Sequence, residues 1–322
     1  MIDLLKTNGK FFKANLHCHT TISDGRMTPE QVKDYYSKNG YSIVAFTDHC
    51  KYVYHQELKD DNFLPIGGFE ADFHVYNKDG VASRLRTCHL NFYAKNPETA
   101  IPLPEPKIYN ISIINEYIKN MVEKDWICNL NHPAWSLQPT DEILAIDNIT
   151  AMEVYNHSCE TAYGCGNTIN YYFSYLASGK KAFAVATDDN HCALAPSNMP
   201  DKNQDALGGY IQISMPSLTY ENFIDSYQNG RFYASTGVEI KELYIDEDTD
   251  ELVVSCSPAC VIATRGIKYY NSPKVTSHDN LLTNARIPMS KIRETHPTFF
   301  RVEIYTTEGK RAYSQPYYYN KK

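Results

Sequence analysis

The sequence predicts a mixed α/β fold: seven strands, enough to close a barrel, followed by a small β-rich C-terminal region. Three observations carry that expectation. From the start to about residue 190, short apolar runs alternate with amphipathic stretches of helical period, the pattern of parallel strands joined by helices. The chain has 322 residues, 43% hydrophobic and 21% charged, which is enough to bury a core and excludes disorder as the main state. Beyond Gly208 the texture changes to alternating segments separated by turn residues, as in half-exposed strands.

The seven candidate strands are residues 13–16, 42–46, 64–67, 88–92, 126–130, 151–154 and 182–185. Thr28-Pro29-Glu30-Gln31 announces the first long helix, with an N-cap, a proline at the first helical position and a Gln three residues beyond the cap. That helix is expected to run to about Asn39-Gly40. Further helices are expected over 112–124 and 168–178, the second stopped by Gly179. Pro97, Pro102, Pro104 and Pro106 exclude regular structure from 96–107, which reads as a surface excursion. Residues 192–206 are expected to form a loop over the end of the seventh strand. Later come a strand over 209–214, a helix over 220–229, and strands at 243–245, 252–254 and 301–305. The expected division is 1–237 for the barrel and 238–322 for the β-rich region.

Charge and composition exclude several functions. The formal charge of -7 offers no basic surface for a nucleic-acid backbone, so duplex nucleic acid is not an expected partner. No apolar run approaches the roughly 20 residues of a membrane span, and Met1-Ile2-Asp3-Leu4-Leu5-Lys6 lacks the apolar core of a secretory signal. A cytoplasmic protein is expected, with homo-oligomerisation left open. Nine cysteines, an odd number without framework spacing, are read as reduced thiols. Cys18, Cys50, Cys88 and Cys192 each adjoin a histidine, and strand alternation turns such neighbours to the opposite face, toward packing. Cys256 and Cys260 form a C-x3-C pair lacking the other half of a zinc ribbon, and are read as structural.

The chemistry lies in the placement of the 11 histidines. His17-Cys18-His19 closes the first strand, and residues two apart share a face and can hold one metal. Alone this decides nothing, because about 0.4 such pairs are expected by chance in a chain of this composition. The same placement recurs, however: Asp48-His49, Glu70, Asn131-His132-Pro133 and Asp188-Asp189-Asn190-His191 follow or end other strands, and His89 sits in one. In a parallel barrel the strand C-termini form one rim, where these groups would meet. Taken singly, each is as well read as an ordinary strand-end histidine or capping acid. Taken together, imidazoles and carboxylates at one spot call for divalent cations, and mixed N/O ligation favours Zn²⁺, Mn²⁺ or Fe²⁺ over Ca²⁺.

These residues also resemble a known family. His17-Cys18-His19-Thr20, Ser23-Asp24-Gly25, Thr28-Pro29 and Phe46-Thr47-Asp48-His49 look like the first two signature motifs of the polymerase-and-histidinol-phosphatase (PHP) family. Gly68-Phe69-Glu70, His89-Leu90-Asn91, Asn131-His132-Pro133 and Asp189-Asn190-His191 resemble its later motifs, in order, over residues 12–192. The resemblance implies a distorted (β/α)7 barrel with a trinuclear metal centre. It implies that His17, His19, Glu70 and Asp189 hold one ion, that Glu70 bridges to a second held by His89 and His132, and that His49, His191 and Asp24 hold a third. Asp24, His49 and His191 are also the candidate catalytic residues. Where the family usually has one acid in its last motif, this chain has Asp188 and Asp189; the Asp-x-His spacing selects Asp189 and leaves Asp188 as a partner for a ligand histidine. Residues 229–237 resemble a segment of stand-alone members with a C-terminal extension, including a carboxylesterase-like branch.

The expected function is hydrolysis of a small phosphomonoester by a metal-bridging hydroxide, with two to three Zn, Mn or Fe ions as cofactors. No protein nucleophile is needed, and neither G-x-S-x-G nor a P-loop pattern occurs. Arg26 and Arg231 are candidate phosphate contacts, because a guanidinium grips two oxygens at once, and His157 is a candidate pocket residue. His55, His74, His278 and His296 have no patterned company and are read as incidental. The same centre hydrolysing a carboxylic ester or an oligonucleotide is the alternative, and a non-catalytic binding module is a third reading.

Overall fold

The computed structural model describes residues 1–76, 82–192, 205–267 and 271–319. Its first part runs β1 (Ile2–Asp3), β2 (Lys10–Asn15), α1 (Pro29–Lys38), β3 (Ile43–Phe46), β4 (Leu64–Tyr76), β5 (Ala82–Ala94), α2 (Ile111–Glu123), β6 (Trp126–Leu130), α3 (Thr140–Leu144), β7 (Ala151–Asn156), α4 (His157–Tyr163), α5 (Ile169–Ala177), β8 (Phe183–Thr187), β9 (Tyr210–Met215), α6 (Tyr220–Gln228) and β10 (Phe232–Ser235). All seven expected strands are present. β3 and β6 are buried at every position, as strands covered on both faces must be, which explains the unbroken apolar run of β3 and the single polar residue, Asn129, in β6. The capping box at Thr28 forms: Gln31 Oε1 accepts the Thr28 amide at 2.9 Å while Thr28 Oγ1 accepts the Gln31 amide at 3.4 Å. The proline-rich stretch before Ile108 is irregular. The loop expected over 192–206 falls mostly on 193–204, outside the described residues.

One large sheet takes in these strands in the order β10-β9-β2-β3-β4-β5-β6-β7-β8. Two features depart from the expected closed, all-parallel barrel. First, β4 and β5 form one long antiparallel pair, so β5 runs against its neighbours and pairs antiparallel with β6 as well; the remaining pairs from β2 to β8 are parallel. Second, the sheet does not close. β9 pairs antiparallel along β2 from Lys10 to Ala14 and so takes the edge that β8 would need. The segments that continue β2 and β8 meet only beyond it, where the Asp189 amide donates to His17 O at 2.9 Å and the His19 amide to Asn190 O at 3.0 Å. The open sheet is thus drawn together at the C-terminal rim, which keeps the strand ends convergent where the histidines lie.

The β-rich C-terminal region is present. It comprises β11 (Ile240–Asp246), β12 (Glu251–Ala259), β13 (Val261–Arg265), β14 (Lys274–Thr276), β15 (Leu282–Pro288), α7 (Met289–Thr295), β16 (Phe299–Tyr305), β17 (Arg311–Tyr313) and β18 (Tyr317–Tyr318). β1, β11, β12 and β15 make a separate four-stranded sheet, whereas β17 pairs with β10 and carries β16, β13 and β14 onto the large sheet. A second apolar core built on Leu243, Val254, Ile262, Ile287, Val302 and Ile304 lies between them. Among the described residues no helix is long and apolar enough to cross a membrane. All nine cysteines are free. Cys18, Cys88 and Cys192 are buried, while half-buried Cys50 donates to Asp72 Oδ1 at 2.5 Å.

Candidate metal centre

Most of the rim residues sit where a strand stops pairing, and two lie within the β4–β5 ladder. His17 and His19 leave β2, His49 follows β3, Glu70 lies inside β4, His89 inside β5, His132 follows β6, and Asp189 and His191 follow β8. At His132 (φ 23°) and Asp189 (φ 55°) the backbone turns through the left-handed region, a conformation that costs energy in any non-glycine residue and gathers at functional sites. Asp24 arrives on the tight turn Ser23-Asp24-Gly25, where a Cβ on Gly25 would come within 2.4 Å of His19 O. That turn is held by Asp48, whose carboxylate accepts the amides of Thr20 and Ser23 and both of their hydroxyls.

Glu70 is the hub. Its Oε1 lies 3.2 Å from His17 Nε2, 3.1 Å from His89 Nδ1 and 3.3 Å from His132 Nε2, and its Oε2 lies 3.3 Å from His19 Nε2 and 3.1 Å from His49 Nδ1. Asp189 Oδ1 stands 3.1 Å from both His17 Nε2 and His19 Nε2. On the open side, Asp24 faces His19, His49 and His191 at 3.6–3.8 Å. Ligand atoms within 4.8 Å of one another form the groups His17/His19/Glu70/Asp189, His19/Asp24/His49/His191, His49/Glu70/His89 and His17/His132/Glu153. The structure therefore brings all nine expected metal residues together. It seats His132 with His17 and Glu153 rather than directly with His89, and adds His19 to the outer set.

Electrostatics follow from this crowding. Burial raises the Glu70 carboxyl, but His17, His89, His49 and a hydrogen bond from His132 outweigh it and hold the group well below the carboxylate range. Burial likewise opposes ionisation of Asp189, and the surrounding imidazoles, His17 foremost, again win. Burial lowers His19, yet hydrogen bonds to Asp189 and Glu70 bring it up to about 9. His17 and His132 are raised by the same acids against the same burial. His49 is pushed down to about 4 by burial, with His19 and His89 adding repulsion. Protons on these imidazoles occupy positions where a divalent ion would supply charge instead.

The donor set fits such ions. It consists of imidazole nitrogens and carboxylate oxygens with no thiolate, suited to Zn²⁺, Mn²⁺ or Fe²⁺. The buried Nε2 of His89 has no hydrogen-bond partner among the described residues, leaving a lone pair or proton for an ion or ligand to satisfy. The further group of Cys50, Asp72 and Glu105 is different in kind, since the Lys107 ammonium already lies 2.9 Å from Cys50 Sγ, 3.2 Å from Asp72 and 3.6 Å from Glu105.

The other expected residues fall in distinct places. Arg26 is exposed, and its amide donates to His191 O at 2.8 Å, which seats its backbone beside the outer set. Arg231 pairs with Asp225 next to Gly230, which abuts Phe183 at the start of β8; it stands at the opposite end of that strand from His191. His157 Nδ1 lies 2.9 Å from the Tyr155 hydroxyl, and its ring backs Gly208, so it joins none of the metal groups. Asp188 does not touch a ligand histidine. Its oxygens accept the amides of Leu207, Gly208 and Gly209 and the Tyr36 hydroxyl, each at 2.8 Å, while burial pushes its carboxyl up to about 6 despite those donors. Two residues near the ligands escaped the sequence reading. Glu153 is 1% exposed in the middle of β7, and Trp135, 36% exposed, packs its ring 5.0 Å from His132 and 5.5 Å from His89. A buried acid within an apolar run, Glu153 in Ala-Met-Glu-Val, was the available signal for the first.

The PHP domain family model matches residues 15–262 of this chain. No curated protein matches it. Among solved structures, it resembles a two-domain protein from Bacteroides vulgatus containing a predicted PHP-like metal-dependent phosphoesterase, at 13% identity and TM-score 0.49, covering 98% of each chain. A Bifidobacterium adolescentis protein provisionally assigned as a metal-dependent phosphoesterase aligns at 13% identity and TM-score 0.38, over 60% of this chain and 92% of that one. An amidohydrolase from Chromobacterium violaceum, with bound sulfate and no metal, aligns at 11% identity and TM-score 0.38, over 68% and 96%.

Proposed function

The chain belongs to the PHP domain family, and on that premise we propose that it is a metal-dependent phosphoesterase hydrolysing a small phosphomonoester at a trinuclear Zn, Mn or Fe centre in the cytoplasm. The observation that carries this reading is the single Glu70 carboxylate ringed by five imidazoles within 3.3 Å, a ligand density suited to bridging two ions. His17, His19, Glu70 and Asp189 would hold one ion, Glu70, His89 and His132 a second, and Asp24, His49 and His191 a third. When bound, these ions supply Lewis-acid charge to the phosphoryl oxygens and a water activated for attack at neutral pH.

The chain's own residues do the rest. Asp24, 54% exposed at its side chain, and half-buried His49 and His191 form the open side and orient an entering phosphate; their contact with it makes them the catalytic candidates. Arg26, carried on the same rim, closes a guanidinium fork on two phosphate oxygens. The buried walls of Glu70, His17 and Asp189 exclude bulk water, which strengthens every charge interaction at the reacting centre. Residues 1–237 carry the chemistry and 238–322 form an appendage to it. The test is turnover of p-nitrophenyl phosphate, nucleotides and carboxylic esters by protein stripped of metal and reloaded with Mn²⁺, Zn²⁺ or Fe²⁺. Metal-dependent release of phosphate is expected. Turnover of carboxylic esters alone would assign the centre to acyl chemistry, and no turnover with any ion would mark a binding module.

A further inference from the structure

Glu153 is the one acid at the heart of the rim that the reading above leaves without a task. It is 1% exposed, and its two oxygens receive four contacts from four different strand ends. Oε1 lies 2.7 Å from His17 Nδ1 and accepts the Thr187 hydroxyl at 2.6 Å. Oε2 accepts the backbone amide of His132 and the Asn156 side-chain amide, both at 2.9 Å. Asn156 in turn reaches Asp189 Oδ2 at 3.1 Å with the same amide nitrogen. One carboxylate therefore joins the ends of β2, β6, β7 and β8, three of which deliver metal residues.

Three of these neighbours are donors or free to donate, which is the setting of an acceptor-only carboxylate. His17 must then present its Nδ1 proton to Glu153, and the nitrogen it offers to an ion, in exchange for the proton held there, is Nε2, 3.2 Å from Glu70 and 3.1 Å from Asp189. Which ring nitrogen binds a metal is set by the partner of the other one. We propose that Glu153 is a positioning residue that fixes the Nδ1–H tautomer of His17 and the entry of His132, and so makes the inner group a ligand set for a divalent ion. The inference rests on the metal centre proposed above but concerns a residue outside its ligands.

An isosteric change separates this role from packing. In Glu153→Gln one oxygen becomes an NH₂. The backbone amide of His132 cannot accept a hydrogen bond, so the remaining oxygen stays with it and the NH₂ turns toward His17 and Thr187. Thr187 can accept by rotating its hydroxyl. His17 can accept only by moving its proton from Nδ1 to Nε2, the atom the ion needs. The variant should fold, keep its metal-free melting temperature within a few degrees, and bind the tightest ion about 10–100-fold more weakly.

The experiment has two arms. Nitrogen-15 NMR of histidine-labelled, Zn²⁺-loaded wild-type and E153Q protein assigns the His17 tautomer, and calorimetric titration with Mn²⁺ and Zn²⁺ gives affinity and stoichiometry. Expected in the Zn²⁺-loaded proteins are a proton on Nδ1 and none on Nε2 in the wild type, a proton on Nε2 in E153Q, and the loss of affinity. Equal affinity and stoichiometry in both proteins would overturn the proposal, as would an unchanged tautomer in E153Q. If E153Q fails to fold, the wild-type spectrum decides, and a proton on Nε2 there refutes the role. A wild type that binds no ion at all would instead refute the metal centre itself, so the two failures are distinguishable.

Discussion

Replacing Glu70 by Gln removes the only carboxylate among the described residues that faces five imidazoles at once, and its cost can be worked from the geometry. Asn131 donates to Glu70 Oε1 at 2.8 Å, so in the variant the remaining side-chain oxygen stays on that side and the new NH₂ turns to His19 and His49. The imidazoles of His17, His19 and His132, raised by their acids in the native protein, lose a principal anionic partner while buried. Breaking a buried charged network by removing one member costs about 3–5 kcal/mol. At roughly 2.1 cal/mol/K of unfolding entropy per residue, the 322-residue chain has a total near 0.7 kcal/mol/K, so the metal-free melting temperature should fall by about 4–7 °C. The loaded proteins should differ more. An ion at 100 times its dissociation constant adds about 2.7 kcal/mol, and the variant forfeits that term for both ions the carboxylate would bridge. Scanning calorimetry with EDTA and with excess Mn²⁺, paired with elemental analysis, reads both effects. A variant with the wild-type melting temperature and metal content would refute the reasoning.

Other perturbations test separate parts of the account. Trp135→Ala removes two aromatic contacts on His89 and His132 worth about 1–3 kcal/mol together; urea unfolding should show that loss, and an unchanged midpoint would mean that the indole packs on nothing of consequence. Asp188→Asn turns one acceptor into an amide facing donors among Leu207, Gly208, Gly209 and Tyr36, which should cost about 1–3 kcal/mol; the same urea midpoints check it. His296, held down to about 4 by burial with Arg265 and Arg301 adding to it, stays neutral in the folded chain while the unfolded chain protonates near 6.5. The unfolded state therefore binds more protons between those values, and stability should fall as the pH drops from 6.5 to 4. His296→Gln should flatten that part of the pH–stability profile relative to wild type, and an identical slope would contradict the assignment.

The strands were legible because period and burial agree in them: Trp126 to Leu130 is apolar enough on both faces to be read from either side, and the Thr28 capping box is a purely local signal. The long β4–β5 pair was not, because its outer half carries Glu70, Asp72, His74 and Arg86, polar residues that break the apolar run and leave only the ends at 64–67 and 88–92 visible. The opening of the barrel was illegible for another reason. It arises from β9 claiming the edge of β2, a competition between segments some 200 residues apart that no local pattern records. In the site, His17, His19 and Asp189 declared themselves by lying just past strand ends beside one another in alternating pairs. Glu153 sits two residues into β7, two ahead of Tyr155-Asn156-His157, and only the folded arrangement shows what surrounds it. Asp188 was misread as a partner of a ligand histidine because its contacts are backbone amides from Leu207 to Gly209, on the far side of the intervening segment.

The most direct test of the account is anomalous diffraction from crystals grown with Mn²⁺, Zn²⁺ or Fe²⁺, recorded at the absorption edge of each. Three peaks are predicted, the first among His17, His19, Glu70 and Asp189, the second beside His89 and His132, and the third between Asp24, His49 and His191. An absence of anomalous density among these side chains at saturating metal would contradict the account.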